Sequence, residues 1–320
     1  MTLRILICDD SAMARKHLQR NLPKNWQAEV HFAVHGLDAL AQIDTQPFDL
    51  LFLDLNMPEL DGYGVLQRLQ HNAQAPKVIV CSADIQQEAL RRVLALGALA
   101  FLKKPSQPEQ ILELLQSHGL YQTGTLSPQT HIDVDYDDAL REICNVAMGK
   151  AGASIAQVLG TFVDLPIPRV RRLNKGEMSM ILAPSMSDPD LQVISQGFIG
   201  DGISGEALLM LQDGSYSSMG QLMGINDVSS KQARLEIQMD TANILFASFL
   251  TGLAEQLHVP FTQSHPVVLS ELPNEHFDEQ TLAVEISYRL AEHQIVCDLL
   301  LLFPYASLPR LERNIKYLVG

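Results

Sequence analysis

An alternation of two periods over the first 120 residues constrains this chain more than any other feature. Short β-rich runs fall at Leu3–Cys8, Glu29–Ala33, Leu50–Asp54, Lys77–Ser82 and Ala100–Lys103. Amphipathic stretches of helical length lie between them, among them Met13–Leu22, Tyr63–His71 and Gln86–Leu96. Five strands alternating with helices predict an α/β unit with a parallel sheet and right-handed connections. Polar residues punctuate the ends of these runs. Asp9 and Asp10 end the first, and Asp54 ends the third, followed by Leu55, Asn56, Met57 and Pro58. Ser82 ends the fourth, and Lys104 and Pro105 follow the fifth. The carboxyl ends of strands in an open parallel sheet face one crevice, so these distant residues converge.

The residue types state the chemistry. Three carboxylates held together repel one another and call for a cation, and a hard divalent ion such as Mg²⁺ suits oxygen ligands. Such an ion also neutralises the oxygens of an incoming phosphoryl group while one carboxylate attacks phosphorus. A lysine opposite supplies a compact positive charge, and a small hydroxyl supplies a donor. Each residue also has a plainer reading. The Asp pair can cap a helix starting at Ser11, and Lys-Pro is common in loops. Four such features at the ends of successive strands outweigh those readings.

Residues 1–120 resemble the response-regulator receiver family, whose single-domain form is CheY. The matching elements are Asp9-Asp10, Asp54 within DLNMPELDG, Ser82 and Lys104-Pro105. The resemblance implies a flavodoxin-like five-stranded sheet and a phospho-acceptor at Asp54. It implies Mg²⁺ held by Asp10, Asp54 and the carbonyl of Asn56, with Asp9 acting partly through water. Ser82 and Lys104 would support the phosphoryl group. Phe101 falls at the family's switch-aromatic position, and a core role for it fits equally well.

Gly119–Thr130 is small, polar and turn-prone, a linker composition. The expected division is a receiver at 1–120, a linker at 121–131 and a second domain at 132–320. In the second domain, helices are expected at Asp138–Leu159, Gln232–Leu257 and from Ser307. Irregular and strand-like segments are expected at Arg169–Ala183, Leu191–Ile199 and Gly205–Leu211, and strands at Leu282–Leu290 and Ile295–Leu302. Clumped helices and strands predict an α+β domain.

Within that domain, Asp138, Glu142 and Asn145 share one helix face. Asp137 or Asp138 could equally serve as an N-cap. A mid-helix Asn most simply faces solvent, but its neighbours Ile143, Val146, Ala147, Gly149, Ala151 and Gly152 are apolar or small. The pattern also recurs: Asp138, Glu142, Asn145 and Pro168 are matched by Glu236, Asp240, Asn243 and Pro266, at an offset of 98 residues throughout. This resembles the CheC/CheX/FliY phosphatases, with an internal pseudo-two-fold repeat. The resemblance implies that Glu142 pairs with a receiver lysine while Asn145 orients a water. Asp240 and Asn243 would form a second site, with Asp240 one methylene shorter than Glu.

Composition narrows the remaining classes. The net charge is −14, and it is uneven: −2 through residue 120 (11 Lys+Arg, 13 Asp+Glu) and −12 beyond (12 and 24). The acidic second half repels phosphate backbones, against a nucleic-acid output. Cys8, Cys81, Cys144 and Cys297 are scattered and read as buried reduced thiols. The ten histidines form no zinc-like cluster. No apolar run is long enough to span a membrane, and no secretory signal is visible, so a cytoplasmic protein is expected. The expected activity is hydrolysis of aspartyl phosphate on a receiver, either this chain's own or a CheY-like partner, with a sensor histidine kinase upstream. The alternative is an adaptor whose second domain binds a CheD-like deamidase or forms a homodimer under control of Asp54.

Overall fold

The computed structural model describes residues 2–72, 74–124, 131–187, 192–212, 214–225, 227–269 and 281–319. It divides into two compact units, Met1–Glu142 and Ile143–Gly320.

The first unit holds a parallel sheet of β1 (Leu3–Cys8), β2 (Ala28–Ala33), β3 (Leu50–Asp54), β4 (Lys77–Ser82) and β5 (Ala100–Lys103), in the order β2-β1-β3-β4-β5. Its helices are α1 (Ala12–Asn21), α2 (Gly36–Thr45), α3 (Gly62–Leu69), α4 (Gln87–Ala95) and α5 (Pro108–Ser117). The strands are nearly continuous apolar runs because both faces are covered. Ile5, Ile7, Leu50, Phe52 and Ile79 pack with Leu18 of α1 and Ile111 and Leu115 of α5. Their neighbours Leu6, Leu51, Leu53, Val78 and Val80 point the other way, onto α2, α3 and Val93 of α4. This is the two-residue period of a strand. The chain leaves β1 toward β2 and then crosses to β3, so strand order reverses between β1 and β3. That reversal opens a crevice at the carboxyl ends of those two strands.

The end of this sheet is closed by contacts around the stretch read as a linker. Trp26 is fully buried, and its indole N–H donates to the carbonyl of Leu120 at 2.9 Å. Trp26 pairs with Thr123, and Gly124 N–H donates to Asn25 O at 2.9 Å. Residues 125–130 of the expected linker lie outside the described residues.

After residue 130 the chain enters α6 (Tyr136–Leu159), whose opening turns belong to the first unit. Then follow β6 (Arg169–Leu173), α7 (Lys175–Ser187), β7 (Val193–Gly200), β8 (Ile203–Leu211), α8 (Ser215–Leu222) and α9 (Lys231–Leu257). Last come β9 (Thr262–Gln263), β10 (Val267–Val268), β11 (Thr281–Leu290), β12 (Ile295–Phe303) and α10 (Leu308–Val319). The strands form one antiparallel sheet in the order β10-β7-β8-β12-β11-β6, with β9 also on β7. Asp201 and Gly202 make the two-residue turn between β7 and β8, both with positive φ (47° and 75°). Such a turn needs that left-handed backbone, which Asp-Gly supplies.

The sheet order makes the repeat visible. Each half contributes a long helix, a proline, an edge strand and a long hairpin: α6, Pro168, β6 and β7–β8, then α9, Pro266, β10 and β11–β12. The hairpins meet at the centre through β8 and β12. The edge strands are exchanged, since β6 of the first half pairs with β11 of the second, and β10 pairs with β7. The long helices meet at small residues. A Cβ on Gly252 of α9 would lie 2.9 Å from Cα of Ala147. The small residues near Asn145 are therefore the means by which two helix backbones approach closely.

One expectation is corrected. Arg169–Ala183 was expected to be irregular and strand-like, but only β6 is extended and α7 follows it. Met178, Ile181 and Leu182, at helical spacing, pack on Leu173, Leu208 and Leu300. The other segments differ by one to two residues at their ends, within the usual fraying of helix and strand boundaries. Leu191 of the expected segment Leu191–Ile199 lies outside the described residues. Among the described residues no helix is long and apolar enough to cross a membrane.

Candidate functional site

The crevice between β1 and β3 gathers the residues singled out at the strand ends. Asp54 is 2% exposed. One of its carboxylate oxygens accepts from Asn56 N–H at 2.8 Å, and the other lies 2.9 Å from Lys104 Nζ. Lys104 also stands 2.7 Å from Asp9. Asp9, Asp10 and Asp54 each bring a carboxylate oxygen within 4.8 Å of the others. Arg15 holds the turn after β1 by donating to the carbonyls of Asp9 and Asp10, at 2.6 and 3.1 Å. Ser82 is buried at the end of β4, its hydroxyl accepting from Asp84 N–H at 3.1 Å. Phe101 is half-buried against the core under α3 and α4.

The rest of DLNMPELDG serves the same strand end. Asp61 caps α3 by accepting from Gly64 N–H at 2.7 Å. Gly62 allows α3 to begin against the acceptor strand, because a Cβ there would lie 2.2 Å from the carbonyl oxygen of Asp54.

The opening of α6 enters this unit and adds two carboxylates. Glu142 reaches 3.3 Å from Lys104 Nζ. Asp138 accepts from the backbone N–H groups of Ala12 at 3.1 Å and Met13 at 2.9 Å, with Ser11 Oγ at 3.4 Å. Ser11 is the N-cap of α1, accepting from Ala14 N–H at 3.1 Å. Asp9 accepts from Ser11 N–H at 3.0 Å. Three orphan amides at the start of α1 thus have acceptors, two of them on Asp138. Asp9 and Asp10 do not cap that helix themselves. Neither Asp137 nor Asp138 caps α6: Asp135 does, accepting from Asp138 N–H at 2.7 Å. The sequence offered Asp137 or Asp138 because an acid at a helix start suits its free amides, but α6 begins two residues earlier than expected and Asp135 takes that place. Nothing local marked α1 as the target of Asp138.

One ammonium meets three carboxylates here, Asp9, Asp54 and Glu142, with Asp10 close to Asp9 and Asp54. Burial pushes the Asp9 carboxyl well up, against the pull of Lys104 and with the push of Asp54. Burial, then the Asp54 charge, raises Asp10 to about 6. Burial also raises Glu142, opposed by Lys104. For Lys104, burial disfavours the charge, but Asp54, Asp9 and Glu142 outweigh it and hold the ammonium protonated well above its usual range. Carboxylates resisting ionisation beside an oxygen-only donor set are what a hard divalent cation would relieve.

The two Asn-bearing helices differ. Asp138, Glu142 and Asn145 are all buried on α6, and Asn145 Oδ1 has no hydrogen-bond partner among the described residues. Glu236, Asp240 and Asn243 are all exposed on α9. The four cysteines are free and buried. Burial raises all four thiols, Cys144 and Cys297 to about 12, which keeps them inert.

Comparison with known proteins agrees with the crevice. The response regulator receiver domain model matches residues 5–116. CheY of Listeria monocytogenes is 36% identical over 115 residues, covering 36% of this chain and 96% of that protein. Protein-glutamate methylesterase/protein-glutamine glutaminase 3 of Rhodospirillum rubrum is 40% identical over 103 residues. The chain spans only 28% of that enzyme's length, and 33% of the similar enzyme 5 of Myxococcus xanthus. Among solved structures, Thermotoga maritima FliY shows a slight likeness (TM-score 0.42, 17% identity) over 57% of this chain and 96% of that one. With a five-stranded parallel sheet, an acidic cluster at its switch point and a near-complete match to CheY, the chain belongs to the response-regulator receiver family.

Proposed function

We propose that Asp54 accepts a phosphoryl group from a sensor histidine kinase and that Glu142 and Asn145 promote its hydrolysis from a receiver. The observation that carries this reading is Glu142 at 3.3 Å from Lys104, with Asn145 one helical turn further along α6. Asp9, Asp10, Asp54 and the carbonyl of Asn56 would hold Mg²⁺, which when bound neutralises phosphoryl oxygens.

The protein's own groups do the rest. Lys104 donates to a phosphoryl oxygen. Glu142 holds that ammonium, so it need not act as a base. A buried amide oxygen without a partner costs about 1–3 kcal/mol, and Asn145 Oδ1 carries such a cost unless an O–H donates to it. A water donating there is held in line with phosphorus. Its oxygen bonds to phosphorus, the bond from phosphorus to the Asp54 carboxyl oxygen breaks, and the carboxylate leaves with the electron pair. The water's protons remain on the inorganic phosphate released.

The test is the decay of label from the full chain after phosphorylation with a small acyl-phosphate donor and Mg²⁺, alongside decay from an added CheY-like receiver. Asn145→Ala is expected to slow one of these by about tenfold or more, as loss of a positioned nucleophile does. If combined Asn145→Ala and Asn243→Ala leaves both rates unchanged, the phosphatase reading is wrong.

A further inference from the structure

We infer that β6, an edge of the second unit's sheet, is a docking strand for an acidic extended segment of another protein, which joins the sheet as one more strand. Among the described residues β6 pairs with β11 alone and ends the strand order. An edge strand presents a row of unpaired N–H and C=O groups, and these are the groups an added strand bonds. Main-chain bonds of that kind supply affinity, and the side chains beside them supply the choice of partner.

Charge identifies the partner. From residue 121 onward the chain carries 12 Lys+Arg against 24 Asp+Glu, yet three of those 12 fall within the five residues of β6: Arg169, Arg171 and Arg172. All three are exposed. The strand period sends Arg169 and Arg171 to one face and Arg172 to the other, so both sides of this edge are basic. Arg171 is anchored, its Nε donating to Glu285 at 2.7 Å. Glu285 stands directly opposite Arg169 in the register, but its carboxylate is held by Arg171. Arg169 and Arg172 have no ion pair among the described residues. Two guanidinium groups, one on each face of an open edge, thus await carboxylates.

The same features reject other occupants. β6 is short, Pro168 precedes it and its charges are repeated, devices that keep an edge from pairing with strands in general. A second copy pairing β6 to β6 would set arginines beside one another, and like charges across a strand pair are destabilising. A carboxylate-bearing strand turns those repulsions into attractions. A nucleic acid is disfavoured by the acid excess of the surrounding chain and offers no backbone N–H to a strand edge. The arginines do not come with the repeat, since the counterpart edge strand β10 is Val267–Val268 and uncharged.

The experiment titrates the full-length chain against a short fluorescent peptide of alternating glutamate and valine, acetylated and amidated at its ends, and reads fluorescence anisotropy. A matched peptide of alternating lysine and valine is the control. The glutamate peptide is expected to bind and the lysine peptide not to. Arg169→Gln combined with Arg172→Gln is expected to weaken binding about tenfold, as loss of two cross-strand charge pairs does. Both side chains are exposed, so the double variant is expected to keep the wild-type thermal midpoint, which shows the sheet to be intact. Two further peptides carry N-methyl groups on the glutamate nitrogens or on the valine nitrogens. Strand addition predicts that one of them loses binding, because only alternate N–H groups face the edge. Absence of saturable binding at millimolar peptide, equal binding of the glutamate and lysine peptides, or unchanged binding in the double variant overturns the acidic partner. Equal binding of the two methylated peptides overturns strand addition. A wild-type dimer in solution that the double variant loses would overturn the proposal by giving this edge to a second copy.

Discussion

α6 and α9 carry the same spaced pattern, 98 residues apart, yet their polar residues stand in opposite surroundings. On α6, Asp138, Glu142 and Asn145 are buried, and the two acids meet α1 and Lys104. On α9, Glu236, Asp240 and Asn243 are exposed. The two helices do similar structural work, each opening one half of a pseudo-symmetric sheet and packing on the other through small residues. What separates them is what precedes them. Only α6 follows directly on the receiver, and only its first turns belong to that compact unit. A repeat therefore supplies equal residues, while chain connectivity decides which copy's opening acids meet α1 and Lys104.

The largest effect expected is loss of labelling altogether in Asp54→Asn, measured as phosphate incorporated from an acyl-phosphate donor. Persistent labelling would move the acceptor elsewhere and remove the reason for comparing the helices. Chelation of divalent cations is expected to stop labelling almost as completely. Added Mg²⁺ should raise the thermal midpoint of the wild type, by about 2.7 kcal/mol of stabilisation at 100 times the dissociation constant. Asp10→Ala should lose most of that gain; an equal Mg²⁺ response in the variant would place the ion elsewhere.

The contrast between copies is sharper in rates. Asn145→Ala is expected to slow label loss from this chain or from an added CheY-like receiver about tenfold, and Asn243→Ala by less than about twofold. Equal effects would break the comparison by showing the exposed face to be as active as the buried one. The smallest effect concerns what the helices share. Gly252→Ala brings a methyl against Ala147 and is expected to cost about 1–3 kcal/mol by overpacking, read as a lower midpoint in urea. No loss would mean that the two backbones separate readily, and the shared packing would then not constrain either copy.

Local pattern carried much of this molecule. The period-two apolar runs and the polar residues that end them gave the receiver strands to within a residue, because a strand buried on both faces has few alternatives. The segment around α7 was harder. Its apolar residues do not fall on a clean stripe, and Met178, Ile181 and Leu182 read as helical only once the sheet beneath them is known. β10 has two residues, too few for any period, and its place beside β7 is a long-range exchange between halves. Asp138 shows the same limit. Its type and its spacing to Glu142 stand in the sequence, but an acid at a helix start suits its own amides as well as another helix's.

The sequence by itself determined that five strands would bring Asp9, Asp10, Asp54, Ser82 and Lys104 to one end of a parallel sheet, because strand direction and strand ends are local properties. It also determined that two helices would carry the same Asn-bearing pattern. Only the tertiary structure decided that Asp138 and Glu142 of one pattern meet α1 and Lys104 while Glu236, Asp240 and Asn243 of the other are exposed. The physical reason is that hydrogen-bond partners over a hundred residues apart are chosen by which surfaces the folded chain brings together, and no local period encodes that choice.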